Sequence, residues 1–336
     1  MRNLLTDIAG IQVGHATDPR LGSGATAILF DGPAIAAVIT LGGAPGSRDT
    51  AMLEPEMTQQ RVDGFVLSGG SAFGLDAAGG VQSFLRAQGR GLRFGAALIP
   101  LVPGAIIFDL NNGGDKDWGL QSPYRDLGYQ AACAAAAGDF ALGTIGAGTG
   151  ATTATLKGGV GSASARASTG HIVAALAVVN AIGTATIGDG KHFWAAPFEV
   201  DGEFGGLGWP AAITPADLAP RLKGPRLIDM PRLTETATTI ALIATDAALT
   251  KSQTKRLAIM ANDGLARALL PAHAPSDGDT VFAAATGQFP LADDRDLTLL
   301  GHLATQVMAR AIARGVYEAT ALSYAGALAD WRGTFG

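Results

Sequence analysis

The sequence predicts a layered α/β fold. Short β-type apolar runs alternate along the chain with stretches whose apolar residues recur at helical spacing, the pattern of sheets covered by helices. One run, Ile172-Val173-Ala174-Ala175-Leu176-Ala177-Val178-Val179, is apolar on both faces, as a strand covered on both sides requires. The composition agrees: 336 residues, 48% hydrophobic and only 16% charged, can bury a large core in one big domain or two ordinary ones.

Taken in order, the runs over 26–30 and 35–41 predict two strands flanking an Asp31-Gly32-Pro33 turn, and 62–67 predicts a buried strand ending at Ser68-Gly69-Gly70. Helical spacing predicts helices over 73–85 and 129–137. From about 140 to 187 the pattern is β-rich and punctuated by glycine, whereas 188–234 holds Pro, Gly and charge with weak periodicity. That segment reads as a long excursion ending in an exposed linker, where a processing site could be reached. A strand follows from 238 to 246, then a helix over 252–270, a strand over 281–285 and a helix over 297–316.

A net charge of −5 without a Lys/Arg block argues against nucleic acid or an anionic membrane as partner. Cys133, the single cysteine, excludes a disulfide within the chain and reads as an inert buried thiol on a small-residue helix face. The first residues, Met1 to Asp7, lack the apolar core of a signal peptide, and no window is long and apolar enough to span a bilayer, so a soluble cytoplasmic protein is expected.

Several motifs compete for the chemistry. Gly146-Ala147-Gly148-Thr149-Gly150-Ala151 fits a loose G-x-G-x-x-[GA] pattern, but strand-like sequence follows it and no acidic residue lies about twenty positions on to hold a ribose. Lys157 lacks the spacing of a Walker loop. Ser71 fails the nucleophile-elbow pattern because Phe73 stands where glycine is required. His15, His171, His192, His273 and His302 form no paired ligand motif, so neither a metal centre nor a cofactor is expected, and a Ser-His-Asp triad finds little support.

What remains is the hydroxyl-rich seam Thr234-Glu235-Thr236-Ala237-Thr238-Thr239, running into the apolar stretch from Ile240. Within a chain a threonine hydroxyl has no base of its own. Breaking the Ala237–Thr238 peptide bond would give Thr238 a free α-amine, with an ordinary pKa near 7.7–8.0, and so both nucleophile and base on one residue. The same residues fit a solvated loop before a core strand equally naturally, since threonine is a good strand former. Asp277 and Asp279, two apart before a strand, can point the same way from an extended segment or sit in a solvated turn; Lys157 can be a surface lysine in a turn.

Together, Gly10-Ile11-Gln12-Val13-Gly14-His15-Ala16-Thr17, Leu41-Gly42-Gly43-Ala44-Pro45-Gly46-Ser47-Arg48, the segment from Ser68 to Asp76, the Gly146 loop and the segment from Thr239 to Ala247 resemble the P1 peptidase family. That family includes L-aminopeptidase D-amidase/esterases, β-peptidyl aminopeptidases and 6-aminohexanoate-oligomer (nylon-oligomer) hydrolases. The resemblance runs through nearly the whole chain, in order. It implies one αββα layered domain over 1–336, cut by itself into fragments 1–237 and 238–336, with the N-terminal Thr238 as nucleophile. It further implies Lys157 as a charge and hydrogen-bond partner beside the nucleophile, Asn180 as a donor to the oxyanion, Asp277 and Asp279 as carboxylates near the threonine, and Tyr124 at the substrate. A homo-oligomer, a tetramer of cut units, is also implied. One departure is Ala237, where the family usually carries Asn or Gly, residues that reach unusual backbone conformations more easily. An uncut binding or assembly protein is therefore an alternative, and a phosphate-ligand enzyme using the Gly146 loop is another. Within the hydrolase reading the Thr nucleophile and the Asp-Gly-Asp pair lean toward the oligomer hydrolases, ahead of L-aminopeptidases or β-aminopeptidases acting on short peptides.

Overall fold

The computed structural model describes residues 1–224 and 237–336. Its elements are β1 (Ile11–Asp18), β2 (Ser23–Thr40), β3 (Ser47–Arg48), β4 (Arg61–Ser68), α1 (Ala77–Ala87), β5 (Leu92–Phe94), β6 (Ala97–Ile99), β7 (Gly104–Ile106) and α2 (Tyr124–Cys133). They continue with β8 (Val160–Arg166), β9 (Ile172–Asn180), β10 (Thr238–Ala248), α3 (Lys251–Ala268), β11 (Thr280–Pro290), α4 (Asp294–Tyr317) and α5 (Trp331–Phe335). Among the described residues the main strands run in the order β3-β7-β4-β2-β11-β10-β9-β8, with β1 on β2 and β5–β6 as a separate hairpin.

Side-chain alternation turns this sheet into layers. In β9 the odd-numbered Val173, Ala175, Ala177 and Val179 pack with α3 and α4, while the even-numbered Ala174, Leu176 and Val178 join Ile28, Phe30, Phe65 and Phe282 in a core between strands. On the other side Ala25, Ala27 and Leu29 of β2 pack against Val81 of α1 and Leu127 of α2. The order across the molecule is thus α1/α2, strands, strands, α3/α4, which is the αββα arrangement. The doubly apolar run of β9 is explained by its two covered faces.

Strand β2 differs from expectation. It is continuous, and Asp31-Gly32-Pro33 is an exposed stretch inside it rather than a turn between two strands. Its first half pairs with β1 and β4 and its second half with β11, so the strand passes from one layer to the other and bends without reversing. The helix expected over 73–85 begins as a 3-10 turn, Ser71–Asp76, and becomes α-helical only at Ala77. The helix expected over 129–137 starts earlier, at Tyr124 after Pro123, and ends at Cys133. Cys133 is exposed, correcting the buried thiol: the helix buries Ala131 and Ala132, and the following position turns to solvent. Strand β11 extends past 285 to Pro290. The excursion carries one short 3-10 turn, Ala196–Phe198, among its described residues; the end of the linker and the first half of the hydroxyl seam, together 225–236, lie outside them.

Candidate active site

Three chain segments converge at one end of the sheet. Strand β10 begins at Thr238, directly opposite Asn180, the last residue of its antiparallel neighbour β9. Its parallel neighbour β11 is entered from the Asp277-Gly278-Asp279 loop, and Ala237 bridges to Asp277 just ahead of that pairing. The strand order therefore brings Ala237, Thr238, Asn180, Asp277 and Asp279 together although they span a hundred residues of sequence.

The Ala237 carbonyl is held from two sides. The Gly278 N–H donates to it at 2.9 Å, and the Thr238 hydroxyl donates to the same oxygen in a very short contact. Glycine at 278 is a steric requirement: a Cβ there would lie 2.7 Å from Thr238 Oγ1 and 3.0 Å from the Ala44 carbonyl. Ala237 itself sits in extended pairing and is not among the residues with positive φ, so it carries none of the strain that replacing Gly or Asn suggested.

Both aspartates are buried, which excludes the solvated-turn reading. Asp279 accepts the Thr239 N–H on Oδ1 at 2.7 Å; on Oδ2 it meets the His273 N–H at 3.0 Å and His273 Nδ1 at 2.8 Å. Asp277 accepts only the Ala274 N–H on Oδ2, at 2.9 Å. Its Oδ1 finds no hydrogen-bond partner of normal geometry among the described residues, although the Ile182 N–H also favours the charged carboxyl, more weakly than Ala274 does. Burial, and then the neighbouring Asp279, push the Asp277 carboxyl up to about 6.

Lys157 is buried, not a surface lysine, and its Nζ donates to the carbonyls of Gly148 at 3.0 Å, Ala151 at 2.7 Å and Gly158 at 2.6 Å. Burial, and then the charge of Lys223, bring its ammonium down to about 7. Two of these carbonyls, Gly148 and Ala151, show what the Gly146 loop does here: it opens as a 3-10 turn and sets backbone oxygens facing a lysine, the opposite polarity from a phosphate cradle. Thr152 pairs with Lys157 and gives its N–H to Asn180 Oδ1 at 3.0 Å, which ties the lysine to the asparagine. Asn180 Oδ1 also accepts from Lys223 Nζ at 2.6 Å, and its Nδ2 donates one of two hydrogens to the Phe108 carbonyl at 3.1 Å.

A cavity of about 670 Å³ opens beside these groups, walled by Lys157, Lys223, Thr152, Asp109 and Asn112 and by the apolar Leu322 and Leu328 of the C-terminal segment. Tyr124 does not line it. The ring is fully buried, and its hydroxyl donates to Ser23 Oγ at 3.0 Å, which in turn donates to Asp109 Oδ2 at 2.6 Å. Tyr124 thus reaches the cavity wall only through Ser23 and Asp109. Burial raises the Asp109 carboxyl, opposed by the bonds from Ser23 and the Gly70 N–H.

Sequence reasoning missed Lys223, His273, Gly278 and Asp109. Lys223 lies in the weakly patterned excursion, and His273 was sought only in paired-ligand or triad patterns, whereas its partner is a carboxylate six residues on.

The family model for peptidase family S58 matches residues 3–327. An uncharacterized aminopeptidase of Mycobacterium bovis is 42% identical over 336 residues, covering 94% of each chain, and one of Mycobacterium leprae is 39% identical, covering 96% of this chain and 92% of its own. Among solved structures, a Burkholderia sp. beta-aminopeptidase superposes with a TM-score of 0.71 at 21% identity, covering 99% of this chain and 91% of its own. The L-aminopeptidase D-Ala-esterase/amidase of Ochrobactrum anthropi, described as a variant of the Ntn hydrolase fold, gives 0.70 at 20% identity, covering 98% and 91%. At those identities the structures establish the fold, and the family match covers nearly the whole length. The chain belongs to peptidase family S58, the P1 family of aminopeptidases and amidases, and is a hydrolase of peptide or amide bonds.

Proposed function

We propose that the chain cuts itself between Ala237 and Thr238 and then hydrolyses small amides with the N-terminal Thr238 as nucleophile. The observation that carries this reading is the doubly held Ala237 carbonyl, polarised by the Gly278 N–H at 2.9 Å with the Thr238 hydroxyl against the same oxygen. In the cut, Thr238 Oγ bonds to the carbonyl carbon of residue 237, the C–N bond to Thr238 breaks, and the hydroxyl proton passes to the departing nitrogen. Water then hydrolyses the ester, leaving a carboxylate on Ala237 and a free amine on Thr238. The Gly278 N–H is placed to stabilise the oxyanion of that first step.

In turnover the α-amine of Thr238 takes the hydroxyl proton as Oγ attacks the substrate carbonyl and passes it to the leaving amine; water releases the acyl-enzyme. Asn180, opposite Thr238, has a second amide hydrogen to offer the oxyanion once a substrate is bound. Lys157 and Lys223 bring positive charge to the cavity and disfavour protonation of a nearby amine, while one carboxylate of the pair, Asp277 or Asp279, limits that effect. Tyr124 supports the substrate wall through Ser23 and Asp109.

For substrate, the Thr nucleophile with its Asp-Gly-Asp pair favours 6-aminohexanoate oligomers. A second reading, an aminopeptidase on short peptides, is favoured by the names of the mycobacterial relatives. The cut units are proposed to assemble as a homo-oligomer. Denaturing intact-mass measurement tests the first claim: fragments 1–237 and 238–336 are expected, with Thr238→Ala remaining one chain, and a Thr238→Ala protein that is cut and active would sink the idea. A panel of a 6-aminohexanoate oligomer, a β-alanyl amide and an L-aminoacyl anilide then separates the substrate readings.

A further inference from the structure

We propose that His273 is a positioning residue for the carboxylate pair: by donating from Nδ1 and from its backbone N–H to one oxygen of Asp279, it keeps Asp279 as the carboxylate and leaves the pair's proton on Asp277. The inference rests on the hydrolase reading for its consequence, but not for its geometry.

Two buried carboxyls so close in the chain do not both ionise without large cost, so which one carries a proton is set by the donors around each. Asp279 faces three donors, the Thr239 N–H, the His273 N–H and His273 Nδ1. Asp277 faces the Ala274 N–H on Oδ2 and a weaker pull from the Ile182 N–H, and its Oδ1 has no hydrogen-bond partner of normal geometry among the described residues. Donors stabilise an anion, and an unpartnered carboxyl oxygen in the interior is the place for a proton. With the pair's proton on Asp277, Asp279 stays anionic and fixed on the N–H next to the nucleophile, so the Thr238 hydroxyl and its proton are held in place for the cut and for turnover.

The histidine is built for this. Its backbone is left-handed, with φ of 59°, an uncommon conformation for a residue with a side chain, and that turn aims the backbone N–H and the ring at the same oxygen. On the far side of the ring, Nε2 lies 3.0 Å from Asn262 Nδ2 of α3; an amide donor there makes Nε2 the acceptor and assigns the ring hydrogen to Nδ1. Asn262 Oδ1 has no partner among the described residues, so a half-turn of the amide lets it accept from a protonated Nε2 without loss at Asp279. Among the described residues, the ionisable groups that face His273 are Asp279 in contact and Asp277 on the same loop; α3 presents the neutral Asn262 amide.

The test uses two measurements. In the full-length protein labelled with ¹⁵N-histidine, five histidines give a resolvable set, and loss of one signal in His273→Asn assigns it. A hydrogen on Nδ1 is expected; a ring with hydrogen on Nε2 alone overturns the proposal, whether or not the chain is an active hydrolase. Self-cleavage and amide turnover are then followed against pH in two variants that both tolerate the left-handed backbone. His273→Asn keeps a donor near the Nδ1 position and is expected within about threefold of the parent rate. His273→Gly removes the donor and is expected to lower kcat about 10–100-fold with little change in KM, and to move the acidic limb of the profile up by about one pH unit. A Gly variant with the parent's rate and limb overturns the proposal. Failure of the hydrolase reading is distinguishable, because it shows as an uncut, inactive parent while the ring-hydrogen result still stands.

Discussion

Replacing Lys157 by methionine isolates the cost of holding an amine inside this fold. The ammonium is brought from 10.5 down to about 7, chiefly by burial, so the folded chain gives up its proton while the unfolded chain still holds one. Stability therefore rises with pH through this window: the penalty is fully present below pH 7, is relieved as pH climbs from about 7, and is gone above about 10.5. The whole interval is worth about 5 kcal/mol, and the part between about pH 7.5 and 9.5 about 2–2.5 kcal/mol. Methionine removes that slope and also strips three carbonyls of their donor, at about 1–3 kcal/mol for each one left dry. At neutral pH the two effects oppose each other, which makes the slope more informative than any single value. The assay is urea unfolding of the parent and of Lys157→Met, both carrying Thr238→Ala so that the chain stays whole, at several pH values across the window. The parent should gain about 2 kcal/mol on the variant between about pH 7.5 and 9.5. A difference that stays constant across those pH values refutes the assignment of a buried, easily deprotonated amine.

Other perturbations test the rest of the site. Gly278→Ala places a methyl 2.7 Å from Thr238 Oγ1 and should slow the appearance of the two fragments by tenfold or more, about 1–3 kcal/mol, in a mass time course. Fragments at the parent's rate would show that this approach is relaxed. Asn180→Ala takes the side-chain acceptor from the Thr152 N–H and one acceptor from Lys223, and should reduce kcat by about 10²–10³ with a smaller change in KM; an unchanged kcat would remove Asn180 from the oxyanion. Asp277 is raised from 3.8 to about 6, so the unfolded chain gives up this proton first, the fold loses stability as pH climbs from about 3.8 to 6 and bears the full penalty above that; Asp277→Asn should therefore be relatively more stable at pH 7.5 than at pH 4 by about 2–3 kcal/mol while losing activity. Equal stability differences at both pH values would argue against a strained carboxyl.

The helices and strands were legible where burial imposes a period. The later helices and strand β10 begin and end close to expectation, because long amphipathic or doubly apolar runs have few alternatives. The Asp31-Gly32-Pro33 stretch was misread because its turn chemistry is genuine locally, whereas the pairing of β2 with strands of two different layers is decided by residues far away. At the site, Thr238, Asn180 and the aspartates stand out on the residues that carry the family resemblance, and strand register then shows why they meet. Gly278 could not be singled out, since its role depends on an Oγ forty residues earlier in the chain. His273 and Lys223 sit on irregular segments with no period to flag them, and their partners are known only once the chain is folded.

The strand order has a topological consequence for the proposed cut. Residues 238–336 contribute β10 and β11, and these lie in the middle of the sheet, between β2 on one side and β9 on the other. Neither would-be fragment owns a continuous sheet: without β10 and β11 the earlier chain is two sheet halves with no bridge, and without β2 and β9 the later chain is a parallel pair with both edges bare. The scissile bond is therefore assembled only after the whole chain has interleaved. Once cut, the halves stay interlocked like the fingers of two hands, and if they are separated by denaturant they have no independent template on which to find each other again.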